Sequence, residues 1–100
     1  MRYTYQHGKT VRQAKVSLVF NANGRGRQRF AVVVSKKVLK SAVGRNRIRR
    51  RVYEVIRGEL AGVKKPVDCI FVIYSRDVYD LPFLELRALV RDLLGQAEII

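Results

Sequence analysis

The chain offers few residues from which a protein active site could be assembled. His7 is its single histidine and Cys69 its single cysteine. Neither stands at a spacing that suits a metal centre, and one cysteine cannot form an intrachain disulfide. No Ser/His/Asp set and no glycine-rich phosphate loop is present. Asp77 and Asp80 lie three residues apart ahead of an apolar helical pattern, where turn formation and capping explain them. The expectation is therefore no catalytic residue, no bound metal and a buried, unreactive Cys69. What remains is electrostatic chemistry. Residues 36–51 hold eight Lys or Arg and no acid.

That run sets the class of partner. The formal net charge is +13 over 100 residues, and it is one-sided. Residues 1–53 carry fifteen Lys or Arg and no Asp or Glu, whereas residues 54–100 carry six against eight acids. Like charges packed this closely repel one another, and a polyanion relieves the repulsion by neutralising them and releasing counterions. Arginine dominates the centre of the run, which favours forked contacts to phosphate and stacking on bases. Asn46, between Arg45 and Arg47, can donate to or accept from a ribose hydroxyl or a base edge. A membrane is not expected as partner, because no lipidation motif and no long apolar stretch occurs. The first ten residues lack the apolar core of a signal peptide, so a cytoplasmic location is expected.

The elements that must position these residues fit one domain over residues 1–100. A short helical turn over residues 2–6 and a short strand over 9–12 are expected first. Residues 15–20 alternate, with Val16, Leu18 and Phe20 on one side and Lys15, Ser17 and Val19 on the other. Residues 21–28, NANGRGRQ, read as a turn, so residues 30–35 are expected to return as the second arm of a hairpin. Ser41 is placed as the N-cap of a helix running to about Leu60. Ile48, Val52, Val55 and Ile56 form its apolar stripe, with Asn46, Arg50, Tyr53 and Arg57 roughly opposite. Residues 67–74, VDCIFVIY, read as a buried central strand. Asp80 is expected to cap a last helix with Pro82 in its first turn and Phe83, Leu86, Leu89, Val90 and Leu93 on its apolar face. A mainly antiparallel sheet with helices on one face would bury these stripes. Its other face, with Lys15, Ser17, Val19, Ala31, Val33 and Ser35, would form a shallow wet platform of the kind that holds single-stranded RNA. Tyr3 and Tyr5 could supply stacking surfaces at its margin.

Residues 35–57, SKKVLKSAVGRNRIRRRVYEVIR, resemble the protein subunit of bacterial ribonuclease P. That family carries a segment close to SKKVGKAVxRNRxKRxxRE(A/x)FR. The likeness extends over nearly the whole chain, through HGK at 7–9, RFAVVVSKK at 29–37 and VDCIFVIY followed by a helix near Phe83. It implies an α+β fold, a two-layer sandwich of about four strands with a left-handed βαβ crossover through the basic helix. It also implies that the RNA subunit is the catalyst, uses Mg²⁺ held mainly by itself, and removes the 5′ leader of precursor tRNA. The protein would bind that RNA, one copy per RNA, through Lys36, Lys37, Lys40, Arg45, Asn46, Arg47, Arg49, Arg50 and Arg57. Tyr5, Lys15, Ser17, Val19 and Ser35 would line a cleft for the leader.

The chain departs from the pattern in places. One extra residue lies between SKKV and AV, and Leu39 replaces a frequent glycine. Tyr53 stands where a basic residue is usual, Val19 where an aromatic is frequent, and fewer residues precede His7 than in most members. A structural RNA-binding protein of ribosomal type is the alternative, and an independent nuclease a third reading. RNA recovered with the protein separates the first two, and cleavage by RNA-free protein would favour the third.

Overall fold

The computed structural model describes residues 8–23, 26, 28–61, 63 and 65–100. In chain order the elements are β1 (Lys9–Arg12), β2 (Val16–Ala22), β3 (Arg29–Val34), α1 (Ala42–Leu60), β4 (Val67–Ile73), one 3-10 turn (Arg76–Tyr79) and α2 (Phe83–Gln96). The expected helical turn over residues 2–6 lies outside the described residues.

The sheet order is β1-β2-β4-β3. β1 and β2 pair antiparallel, as do β2 and β4, while β3 runs parallel to β4. The expected hairpin between β2 and β3 is thus not formed. β4 lies between them, pairing Leu18 with Phe71 on one side and Val32 with Phe71 on the other. The physical reason is burial: a run as apolar as VDCIFVI is stabilised most at the sheet centre, with partners on both edges. The β3–β4 connection is then a crossover through α1.

Val16, Leu18, Val32, Val34, Cys69, Phe71 and Ile73 face the two helices and make one core with them. From α1 come Ile48, Val52, Val55, Ile56 and Leu60, all essentially inaccessible. Each such side chain contributes roughly 1.5–3 kcal/mol through burial. That outweighs the local electrostatics, because the first turn of α1 has no acid and carries Arg45, which the positive end of the helix dipole disfavours. Ser41 caps α1 as expected, with its hydroxyl accepting from the Gly44 amide at 3.0 Å.

α2 begins differently from its expectation. Pro82 occupies the N-cap and makes no side-chain cap bond, and Asp80 closes the preceding 3-10 turn instead. Ser75 caps that turn by accepting from the Asp77 amide. Leu86, Val90, Leu93 and Leu94 form the buried face of α2, whereas Phe83 is 53% exposed. Glu59 of α1 ties the helices together, accepting from Arg87 at 2.7 Å and facing Arg91 at 3.4 Å.

One buried charge fixes the sheet end. Asp68 accepts two parallel bonds from Arg29, its β3 neighbour, at 2.8 and 2.7 Å, and a third from Asn23 at 2.8 Å. The bond to Asp68 raises the Arg29 pKa above its ordinary value, outweighing desolvation. The buried carboxylate is therefore fully paired, as burial of charge requires.

Candidate nucleic-acid interface

The basic residues of the run from Lys36 to Arg57 lie in two connected places: the turn between β3 and α1, and α1 itself. In the turn, the amides of Val38 and Leu39 both donate to the Ser35 carbonyl, at 3.1 and 3.3 Å. This leaves Lys36, Lys37 and Lys40 exposed. None of the three has a protein partner among the described residues.

The arginines of α1 divide by what they hold. Arg50 and Arg57 are exposed and bond to no described residue. With Arg47, Arg51, Tyr53, Glu54 and Phe83 they line a groove of about 650 Å³ between α1 and the start of α2. Arg51 is turned inward. Its guanidinium donates to the carbonyls of Val78 at 2.7 Å, Tyr79 at 3.0 Å and Leu81. Arg47 lies over the Tyr79 ring, 4.7 Å from its centroid, and its Nε reaches the Tyr79 carbonyl at 3.4 Å. Arg45 donates to the carbonyls of Leu39 and Lys40 at 2.9 and 2.7 Å. Arg49 donates to the Asn46 side-chain oxygen. The oxygen of Asn46 is thus engaged, and what Asn46 offers outward is its NH₂ donors. Tyr53 packs on Phe30, ring centroids 5.5 Å apart, and so joins α1 to β3 in place of a cation.

The sheet face away from the helices is less open than a platform. Register places Arg12, Ser17, Val72 and Val33 in one row across the four strands, and Thr10, Val19, Ile70 and Ala31 in the next. Ser17 is fully buried, its hydroxyl donating to the Tyr74 phenol oxygen at 2.8 Å, and Val19 is also buried. Access is at one end of the face, where Val33, Ser35 and Tyr74 are exposed. Lys15 is half-exposed there, with Asp77 3.7 Å away. Tyr5 and Tyr3 lie outside the described residues.

Three residues at this end escaped the sequence reading: Arg12, Tyr74 and Arg76, all exposed. For Tyr74 a signal existed. Cys69, Phe71 and Ile73 alternate with Ile70, Val72 and Tyr74, so strict period-two counting puts the tyrosine on the far face. Because β1, β3 and β4 end here and β2 begins here, Arg12, Lys15, Tyr74 and Ser35 share this end with Lys36 and Lys37. Together they make a cationic, partly aromatic end of the sheet continuous with the basic turn.

Among the described residues, no group of three His, Cys, Asp or Glu comes together as a metal site. No helix among them is long and apolar enough to cross a membrane. The Cys69 thiol, buried in the core, is pushed up to about 12, first by burial and then by the Asp68 charge. It is not poised as a nucleophile.

Known proteins resemble this chain in sequence and in fold. The family model for Ribonuclease P matches residues 2–98. The Ribonuclease P protein component of Chloroflexus aggregans is 35% identical over 96 residues, which are 96% of this chain and 70% of that protein. That of Pelotomaculum thermopropionicum is 34% identical over 94 residues, covering 94% of this chain and 82% of the relative. The Staphylococcus aureus RNase P protein superposes with a TM-score of 0.83 at 22% identity, over 98% of this chain and 88% of that one. The Thermotoga maritima RNase P protein gives 0.83 at 22% identity, over 95% and 88%. A fold in common, a family match across nearly the whole chain and relatives above 30% identity lead to one statement: the chain belongs to the ribonuclease P protein family.

Proposed function

We propose that this chain is the RNA-binding protein subunit of a ribonuclease P ribonucleoprotein, and that the RNA performs the hydrolysis that removes the 5′ leader of precursor tRNA. The observation that carries this reading is the set of exposed cations whose side chains have no partner among the described residues: Lys36, Lys37 and Lys40 in the turn, and Arg50 and Arg57 on α1. They form a phosphate-binding surface, to which Arg47 and the Asn46 amide donors add contacts. Arg49, held against Asn46, extends the same surface. One copy of the protein would bind one RNA.

The leader of the precursor tRNA is assigned to the accessible end of the sheet. Tyr74 offers a stacking surface, Lys15 and Arg12 offer charge, and Ser35 offers a hydroxyl. Tyr5, Ser17 and Val19 belong to the same proposed cleft, the last two as its buried floor. The Mg²⁺ ions are assigned to the RNA. The surface offered to the RNA is cationic and would not itself attract a divalent cation, but by neutralising phosphates it lowers the repulsion between RNA and leader.

The test is processing of a precursor tRNA by the cognate RNA subunit with and without this protein. The protein is expected to lower the Mg²⁺ concentration needed for 5′ cleavage and to tighten binding of substrates that carry a leader. Unchanged Mg²⁺ requirement and unchanged leader affinity would refute the reading. RNA that copurifies should be one small structured species, not ribosomal RNA.

A further inference from the structure

The β3–α1 turn is held against α1 by two side chains, Leu39 and Arg45. Gly44 is buried, and a Cβ there would come within 2.5 Å of Leu39 Cδ2 and 3.2 Å of Leu39 Cγ. Leu39 therefore lies directly on the first turn of α1. From that turn, Arg45 reaches back toward the helix N-terminus, the direction in which helical side chains point. Its Nη1 donates to two successive carbonyls, Leu39 at 2.9 Å and Lys40 at 2.7 Å. The Arg45 amide meanwhile donates to Ser41 at 3.0 Å. The turn is thus tied at one end through Ser35 and at the other through Arg45. Lys36, Lys37 and Lys40 stand between the two ties.

Resting on the RNA-binding reading above, we propose that Arg45 is a positioning residue: it fixes Lys36, Lys37 and Lys40 in register with the cationic face of α1 and does not itself supply a phosphate contact. The charge of Arg45 compensates two carbonyl dipoles at the start of α1. What it provides to binding is preorganisation, since three flexible lysines are presented from a fixed backbone and less conformational freedom is lost on association. Leu39 fills the space over Gly44, and Arg45 satisfies the carbonyls of Leu39 and Lys40.

A double-mutant cycle on the intact RNA–protein complex tests this. Arg45→Ala and Arg45→Lys are each measured in the native background and with Lys36, Lys37 and Lys40 all changed to Ala. Both Arg45 variants are expected to weaken RNA binding by about tenfold in the native background and by less than about twofold in the triple-alanine background. Lysine keeps the charge but is one bond shorter, so its ammonium does not reach the place where Nη1 meets both carbonyls, and it should behave like alanine. In the free protein, the Val38 and Leu39 amides should exchange with solvent at least about tenfold faster in both variants, because their bonds to Ser35 depend on the turn. Equal loss in both backgrounds, wild-type affinity for Arg45→Lys, or unchanged exchange would each overturn the assignment. If the triple-alanine protein itself binds RNA as tightly as the native chain, the RNA-binding reading of the turn fails. The exchange result then still reports separately whether Arg45 holds the turn.

Discussion

Arg50 and Arg51 are adjacent in sequence and should behave as opposites when removed. Arg51 donates to three carbonyls of the segment between β4 and α2, with two of the bonds at 2.7 and 3.0 Å. Charge-assisted bonds of this kind are each worth roughly 1.5–3 kcal/mol. The site is half-exposed, so water replaces part of the loss at each carbonyl. About half of one such bond's value at each of the three carbonyls leaves ~2–4 kcal/mol for Arg51→Ala. In a 100-residue domain that corresponds to a thermal midpoint lower by about 10 °C or more. Arg50→Ala removes an exposed side chain without a described partner and should stay within about 0.5 kcal/mol of native stability. RNA affinity should show the reverse order at temperatures where both proteins are folded, with Arg50→Ala also flattening the salt dependence by about one unit of log–log slope. Urea unfolding followed by far-UV circular dichroism, paired with salt-titrated RNA binding, reads both quantities. If the two alanine variants unfold at the same urea concentration, the division of the arginines by role is wrong.

Three further outcomes follow from other sites. Cys69 should resist alkylation in the native protein at pH 8 and react fully once urea unfolds it. Its folded value near 12 lies above the ordinary 9.0, so its contribution to stability is complete below pH 9 and is lost as pH rises toward 12, and Cys69→Val should remove that part of the alkaline decline. Gly44→Ala should destabilise by about 1–3 kcal/mol through overpacking against Leu39, and the added change Leu39→Ala should recover part of the loss in a thermal melt. Glu59→Gln should cost no more than about 1 kcal/mol, with the difference shrinking in 1 M salt, because Arg87 and Arg91 are half in solvent.

The helix and the central strand were readable from local pattern. Ile48, Val52, Val55 and Ile56 share one face by spacing alone, and Ser41 announces the cap. The apolar run at Val67–Ile73 is long enough to identify a strand buried on both faces. Strand order was not readable in the same way. A glycine-rich turn between two strands suggests a hairpin, but which edge β2 offers to which partner depends on a strand more than forty residues away. The resemblance supplied the crossover that local pattern missed. Within the basic segment, composition counts charges but cannot say which are occupied. Arg45 and Arg51 bond to carbonyls at sequence separations of 5 to 30, and no periodicity marks such pairs. The burial of Ser17 and Val19 was likewise invisible, since alternation shows which side a residue faces and not what lies above it.

The central position of β4 has a consequence for the order of synthesis. The cationic half of the chain, residues 1–53, is made first, and β3 has no strand partner until residues 68–73 have been added. Contacts of such separation form late in folding because the intervening loop must close first. During translation, then, the basic segment precedes the strand that will hold it. The fixed cationic face comes into being only when the nearly neutral second half arrives.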